Sequence, residues 1–166
     1  MCLIVDANVA TQVFSPDPSP DLQPVWEAIS TGHAVAVHGG ELTEEYGRIA
    51  SLRNLLLELE RQGKVRQVPH QKVREATDRF RNEGTLRSDD PHILAVARVG
   101  NVRLLCSHDT DLHADFTNPS LLQPAGSVYQ RASHKHLIRK HCGRPKKTRK
   151  RTGKTRSRTG RKKRHK

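Results

Sequence analysis

The sequence predicts an α/β domain in which helices flank a central, mainly parallel sheet. Residues 1–5 and 102–106 form short apolar runs without polar alternation, which is typical of strands buried on both faces. Residues 33–38 form a third run, and segments with helical spacing separate all three. Strands that alternate with helices favour parallel pairing. The chain has 166 residues, which is enough for one globular domain with its own core.

Turn residues and helical spacing predict the other elements. Prolines predict a loop at 15–20, and Gly32 and Gly63 are expected to end helices. Asp90 followed by Pro91 is typical of a helix start, with Asp90 as the N-cap. In chain order we expect helices at 22–30, after Gly40, at 52–59, 71–82 and 91–99, with weaker strands at 64–68 and 127–130.

Charge is distributed unevenly along the chain. Residues 131–166 hold 18 of the 30 Lys and Arg and no acid, whereas residues 1–130 hold 12 basic against 17 acidic residues, a net charge of −5. No large apolar side chain occurs from Gly143 onward. We therefore expect a folded domain at 1–130, a basic connecting segment at 131–143 and a disordered tail at 144–166 that contacts nucleic acid or another polyanion.

The cysteines suggest a reducing compartment. Three cysteines do not make an even disulfide framework, so we expect reduced thiols and a cytoplasmic protein, with Cys2 and Cys106 as small core residues. No basic segment precedes the first apolar run, which argues against a signal peptide. No apolar stretch approaches the ~20 residues that span a bilayer, so no membrane partner is expected.

Two acidic residues are predicted at one edge of the sheet. Asp6 follows the first strand, and Asp109 follows the strand at 102–106. The carboxyl ends of parallel strands share an edge, and ligands bind in the crevice outside it. The remaining question is which other carboxylates reach that edge.

Asp90 is the third candidate. It is aligned with the apolar stripe of its own helix, which contains Ile93, Leu94 and Ala97. A purely structural role as the helix cap is the alternative, and the two roles are compatible because a carboxylate has two oxygens.

Glu45 is the fourth candidate. In the helix after Gly40 it shares a face with Leu42 and Tyr46, whereas Glu44 lies on the opposite, surface face. A charged side chain on an apolar face is costly unless it is paired or bound to a metal.

The four acids have no matching cluster of inward-facing Lys or Arg, and Asp111 adds a fifth acid nearby in the sequence. Converging carboxylates repel one another, and hard divalent cations such as Mg²⁺ or Mn²⁺ relieve that repulsion through oxygen ligands. An ion held in this way can also clamp a phosphodiester and generate hydroxide from water.

The order of these acids resembles that of the PIN-domain ribonucleases. Asp6 in an apolar strand, with Asn8 two residues later, is similar to the start of the family pattern. Glu45 in L-x-x-E-Y resembles the second acid of the family, and Asp90 in D-P-H-I-L-A-V-A resembles the third.

Asp109 in L-L-C-S-H-D-T-D-L resembles the fourth acid. Ser107 takes the position of the usual Thr and Leu112 that of the usual Phe, and neither departure changes an acid. The resemblance covers roughly residues 1–130 and does not include the tail.

The resemblance implies a PIN fold and metal-dependent endonucleolytic cleavage of RNA by in-line attack of water, leaving 5′-phosphate and 3′-hydroxyl ends. It implies that Mg²⁺ or Mn²⁺ is held, directly or through water, by the catalytic acids Asp6, Glu45, Asp90 and Asp109. Asn8, Ser107 and Asp111 would be auxiliary residues. Many small prokaryotic members are toxins, so an antitoxin protein and a second copy of the chain are candidate partners besides RNA.

Three other site types were weighed. Asp109-Thr110-Asp111 is similar to the nucleophile motif of haloacid-dehalogenase-type phosphatases but lacks its Gly-Thr sequel, and too little folded chain follows it. His108-Asp109 is similar to the motif of HD phosphohydrolases, whose all-helical fold disagrees with the strand at 102–106. A zinc site could use His134, His136, His141 and Cys142, although this spacing fits no standard finger.

The main alternative is a catalytically inactive PIN-like RNA-binding or scaffold protein, and the presence of all four acids argues against it. In either case we expect the tail to bind RNA or DNA phosphates without sequence specificity and in a salt-sensitive way. The expected contact residues are Arg144, Lys146, Lys147, Arg149, Lys150, Arg151, Lys154, Arg156, Arg158, Arg161, Lys162, Lys163 and Arg164.

Overall fold

The structure, a computed structural model, describes residues 1–143. The expected disordered tail and all of its expected nucleic-acid contacts lie outside the described residues. The strands are β1 (Ile4–Val5), β2 (Ala36–His38), β3 (Val65–Gln67), β4 (Leu104–Cys106) and β5 (Ser127–Tyr129). The helices are α1 (Ala7–Val13), α2 (Gln23–Ser30), α3 (Glu41–Arg48), α4 (Ala50–Arg61), α5 (His70–Glu83), α6 (Pro91–Gly100), α7 (Thr110–Phe116) and α8 (Lys135–Cys142), with a single 3₁₀ turn at Ala132–His134.

The five strands are all parallel. β1, β4 and β5 form one ladder and β2 and β3 another, and a parallel bridge between Leu3 and Ala36 joins the two. The strand order is therefore β3-β2-β1-β4-β5. The chain first builds outward from β1 on one side and then returns to build on the other, so the point where the order reverses lies between β1 and β4. Ligand crevices of open α/β sheets form at this point.

The predicted buried strands are confirmed. Leu3, Ile4 and Val5 of the first strand region are fully buried, as are all three residues of β4. Helix α6 is buried on nearly every side, because residues 91–97 all lie in the interior. Strands β1 and β4 and helix α6 are therefore part of the buried core of the domain.

Three helices were not predicted, and two of them, α1 and α7, are only seven residues long. α1 follows β1 and α7 begins at Thr110 after a short loop that follows β4, with Asp6 and Asp109 at their respective N-cap positions. A helix of two turns offers too few positions for apolar periodicity to be recognised. Asp90 was predicted to be the N-cap of the helix that begins at Pro91. It occupies the N-cap position of α6, but its side chain makes no capping hydrogen bond.

The segment predicted to connect the domain to the tail contains α8. Ile138 and Cys142 are buried, and α8 packs against α2, β4 and β5. A disulfide joins Cys2 to Cys142, with the Cα atoms 5.2 Å apart. The expectation of three reduced cysteines is therefore wrong for this pair, while Cys106 is free and buried. The pairing also leaves Cys142 without the thiolate that the zinc alternative needs.

Among residues 1–143, every helix is too short or too polar to cross a bilayer.

Candidate active site

The strand ends place Asp6 and Asp109 on either side of Ser107. The Ser107 hydroxyl donates a hydrogen bond to Asp6 Oδ2 at 2.7 Å and accepts one from the backbone N–H of Asp109 at 3.0 Å. Ser107 has no exposed surface. Register explains the arrangement, because the Asp6 N–H donates to the Cys106 carbonyl at 2.9 Å and continues the β1–β4 ladder. One buried hydroxyl thus holds the loops that follow both strands.

Helix α3 carries Glu45 to the same edge. Leu42 and Tyr46 lie buried on the inner face of α3, and the Tyr46 hydroxyl donates to the Val5 carbonyl, one residue before Asp6. Glu45 follows this face and remains half-buried. The inward orientation predicted for Glu45 from its spacing is confirmed by these neighbours.

Helix α6 carries Asp90 and His92. One ligand atom from each of Glu45, Asp90 and His92 lies within 4.8 Å of the others, which is close enough for all three to bind one ion. The structure thus brings together a predicted pair of acids with a residue that sequence reasoning missed.

His92 is the most unusual side chain at this edge. It is 3% exposed, and among the described residues its ring nitrogens are the buried side-chain polar atoms that lack a hydrogen-bond partner. Nε2 lies 3.4 Å from Glu45 Oε2 and Nδ1 lies 3.6 Å from Glu41 Oε2, both without hydrogen-bond geometry. The sequence did carry a signal, because His92 opens a helix whose following residues are all apolar or small up to Arg98.

Asp115 is a second residue that was missed. It is 2% exposed, and its carboxylate accepts hydrogen bonds from the backbone N–H groups of Arg87 and Ser88 and from the Ser88 hydroxyl, at 2.8–3.0 Å. This contact fixes the loop that leads into Asp90. The sequence signal for Asp115 is its helical spacing, because it shares the buried face of α7 with Leu112 and Phe116.

Of the four predicted acids, Glu45 and Asp90 belong to the cluster with His92, whereas Asp6 and Asp109 lie outside it. Burial raises the pKa of Asp6, and the Glu45 charge raises it further, against the hydrogen bonds from Ser107 and Asn8. Burial also raises the pKa of Asp90, and the charges of Asp6, Glu45 and Asp109 add to that effect. The carboxylates of Asp6 and Asp90 thus lie in a negative field from neighbouring acids.

The pKa of His92 reflects the same negative field. Burial lowers the pKa of His92, but the carboxylates of Glu45, Asp90 and Glu41 outweigh burial and leave the pKa above its ordinary value of 6.5. A single imidazole cannot neutralise four carboxylates. The donor set and the orphaned ring nitrogens therefore fit a divalent cation.

Two predicted auxiliary residues lie further out. The Asn8 side chain is exposed, and its backbone N–H donates weakly to Asp6 Oδ1 at 3.5 Å. The Asp111 side chain is also exposed, and its backbone N–H donates to Asp109 Oδ1 at 2.9 Å. In the structure both residues act on the acids through their backbone, and their predicted side-chain roles stay predictions.

A polar cleft of about 460 Å³ opens beside the acids between α3 and α5. Its walls include the basic side chains Arg48, Arg74 and Arg81 and also the acidic side chains Glu41, Glu44, Glu45 and Asp78. Arg81 is held by Glu41 at 2.5 Å. Charges of both signs thus line the cleft that Glu45 shares.

The parallel sheet, its reversal point and the acidic cluster define a protein with a nuclease-type α/β fold and a candidate cation site. A family model for the PIN domain matches residues 3–116, and the chain belongs to this family. The match confirms the predicted family and fold, and PIN domains are generally nucleases that use divalent metal ions. No curated protein and no solved structure matches the chain.

Proposed function

We propose that this protein is a metal-dependent endoribonuclease whose active site is the crevice between β1 and β4. The observation that carries the proposal is the convergence of Glu45, Asp90 and His92 within 4.8 Å, at the edge where Asp6 and Asp109 also end their strands. Asp6, Glu45, Asp90 and Asp109 would hold Mg²⁺ or Mn²⁺. When bound, such an ion offsets phosphodiester charge and lowers the pKa of water near the scissile bond.

The protein groups have separable tasks in this proposal. Ser107 keeps Asp6 and Asp109 in register, since its hydroxyl bonds to both residues. Asp115 fixes the loop before Asp90 by three donors from Arg87 and Ser88. Buried supports of this kind hold acidic side chains where mutual repulsion would otherwise spread them apart.

Two features support a nucleic-acid substrate. The mixed-charge cleft that Glu45 lines also contains Arg48 and Arg74, where phosphates of a single strand would find charge-assisted partners. The chain beyond Gly143 adds a dense series of Lys and Arg without acids. We propose that RNA, with DNA as a weaker substrate, binds both.

Cleavage of a labelled single-stranded RNA tests the proposal directly. We expect internal cuts with Mn²⁺ or Mg²⁺, no cuts with EDTA, and strong loss in Glu45→Gln. Glu44→Gln is the matched control, because Glu44 is the adjacent exposed carboxylate on the outer face of α3. Cleavage that survives both EDTA and Asp6→Asn would sink the metal-and-acid mechanism. Intact RNA under every metal condition would favour the inactive RNA-binding alternative.

The tail is tested by removing residues 144–166. The truncated protein should bind long RNA more weakly and with a smaller dependence on salt, because fewer phosphate contacts release fewer counterions. Its cleavage of a short RNA at saturating concentration should be unchanged. Equal binding and an equal salt slope in the two proteins would contradict the proposed role of the tail. The toxin role implied by the family resemblance stays a prediction.

A further inference from the structure

His92 offers a nitrogen ligand that the acidic residues do not supply. Its ring is buried, and its two nitrogens lie 3.6 and 3.4 Å from the Glu41 and Glu45 carboxylates of α3 without a hydrogen bond to either. A buried polar group left without a partner costs free energy on the order of 1–3 kcal/mol. Such a group indicates a partner that the protein chain does not provide.

The surroundings of the ring match those of a metal-bound histidine. Nε2 lies on the side of Glu45, with which it shares the cluster that includes Asp90. Nδ1 lies on the opposite side, 3.6 Å from Glu41 Oε2, and the other Glu41 oxygen is held by Arg81 at 2.5 Å. Histidine ligands commonly direct the second ring nitrogen to a carboxylate, which fixes the tautomer and orients the ring. In the series Arg81, Glu41, His92 a carboxylate lies on that side of the ring, at 3.6 Å and without a hydrogen bond.

We propose that His92 is a direct metal ligand and that its nitrogen makes the site select Mn²⁺ or a later first-row dication over Mg²⁺. The inference rests on the proposed metal-dependent function and specifies which ions serve it. Carboxylates accept Mg²⁺ and Mn²⁺ alike, whereas imidazole binds first-row transition metals better than the strongly hydrated Mg²⁺. Glu41 is the positioning residue for the ring in this arrangement.

A spectroscopic measurement on the unaltered full-length protein tests the ligand without any variant. Mn²⁺ is added to the protein, and pulsed electron paramagnetic resonance records nuclear couplings of the bound ion. We expect a ¹⁴N coupling from a coordinated imidazole, and we expect it to change to a ¹⁵N coupling when the protein carries ¹⁵N-labelled histidine. Bound Mn²⁺ that shows no nitrogen coupling would overturn the inference.

Titration calorimetry then tests selectivity. In His92→Gln the Kd for Mn²⁺ should rise by about 10-fold or more, while the Kd for Mg²⁺ should change far less. Glu41→Gln should weaken Mn²⁺ binding by a smaller factor and keep the nitrogen coupling. His38→Gln is the matched control, because His38 is equally buried but lies in a different polar cluster, and it should leave both affinities unchanged. Equal loss of Mg²⁺ and Mn²⁺ affinity in His92→Gln would overturn the selectivity.

The measurements distinguish a failure of the His92 inference from a failure of the proposed nuclease function. If Mn²⁺ binds without nitrogen coupling and EDTA still abolishes RNA cleavage, the His92 inference is wrong and the proposed nuclease stands. If neither ion binds and cleavage proceeds in EDTA, the proposed metal-dependent function is wrong, and the His92 inference falls with it.

Discussion

Two buried histidines of this protein have opposite surroundings. His38, at the end of β2, is 5% exposed, with Nδ1 2.8 Å from the Thr43 hydroxyl and Nε2 2.7 Å from Glu60 Oε1. His92, in the first turn of α6, is 3% exposed and has no hydrogen bond at either nitrogen. Both rings lie beside glutamates, so burial and nearby charge do not separate them. The difference is that protein groups hydrogen-bond both ring nitrogens of His38, whereas neither nitrogen of His92 has a protein partner and, in our proposal, one of them binds a metal ion.

The same contrast separates two aspartates near α6. Asp115 is fully buried, and its carboxylate accepts hydrogen bonds from Arg87 and Ser88. Asp90 is half-buried, makes no capping hydrogen bond and has its pKa raised by burial and by three neighbouring carboxylates. Buried polar groups that are hydrogen-bonded within the protein stabilise the fold. Polar groups at the sheet edge that lack such partners indicate the site where a ligand binds.

The largest expected effect is on catalysis at the unsatisfied edge. Asp90→Asn should reduce RNA cleavage by at least about 100-fold, because it removes a charge that would hold the ion and leaves the shape of the loop intact. Asp89→Asn is the matched control, since Asp89 is the preceding residue and is exposed. Initial rates at saturating RNA measure both variants. Similar rates for the two would show that the Asp90 carboxylate takes no part in RNA cleavage.

A smaller loss of cleavage activity is expected when Ser107, which supports the acids at the sheet edge, is changed. Ser107→Ala removes the hydroxyl that bonds to Asp6 and accepts from the Asp109 N–H. Residues that orient metal ligands typically contribute about 10- to 100-fold in affinity or activity. We expect a loss in this range, with Mn²⁺ affinity falling in parallel. A loss of activity without weaker metal binding would show that Ser107 contacts the substrate instead.

The sequence predicts well those features that depend on local pattern. Buried strands and most helices follow from apolar runs and helical spacing, and these signals span only a few residues. Of the four predicted acids, Glu45 and Asp90 lie in the ligand cluster, and the shared catalytic role stays a prediction. The spacing of Glu45 from Leu42 and Tyr46 was sufficient to predict that these three residues share a helix face.

The missed features depend on contacts between distant parts of the chain. Asp115 is separated from its Ser88 partner by 27 residues, and Cys2 from Cys142 by 140. The role of His92 becomes visible only when α3 places Glu45 and Glu41 on either side of the ring. No local pattern distinguishes a histidine that will be satisfied, such as His38, from one that will not.

A third prediction concerns stability and separates the two histidines directly. His38→Gln should lower the free energy of unfolding by about 1–3 kcal/mol, because it breaks the bonds of a satisfied buried ring. His92→Gln, measured in EDTA, should change stability less, since it removes a ring that makes no hydrogen bond. Urea unfolding followed by circular dichroism measures both. A larger loss in His92→Gln than in His38→Gln would reverse the proposed division between structure and function.

The smallest expected effect is a pH dependence of stability in EDTA. The folded-state pKa of His92 lies above its ordinary value of 6.5, so below 6.5 its proton contributes stability in full, and this contribution is lost as pH rises through the folded pKa. Asp6 and Asp90 act with the same sign at lower pH, because their raised pKa values make the folded state hold extra protons above about 4. The contribution of these three groups to the stability of the metal-free protein should therefore fall as pH rises.

The wild type must be compared with His92→Gln, because two other groups act with the opposite sign. Burial lowers the pKa of the N-terminal amine and of His141, so each makes the folded state release protons and gain stability as pH rises. Both groups are retained in His92→Gln and cancel in the difference. Above pH 6.5 the stability of His92→Gln should fall less with pH than that of the wild type, as measured by urea midpoints. Parallel stability curves for the two proteins would show that folded His92 binds no extra proton above pH 6.5. This result would contradict the negative electrostatic field inferred around the ring.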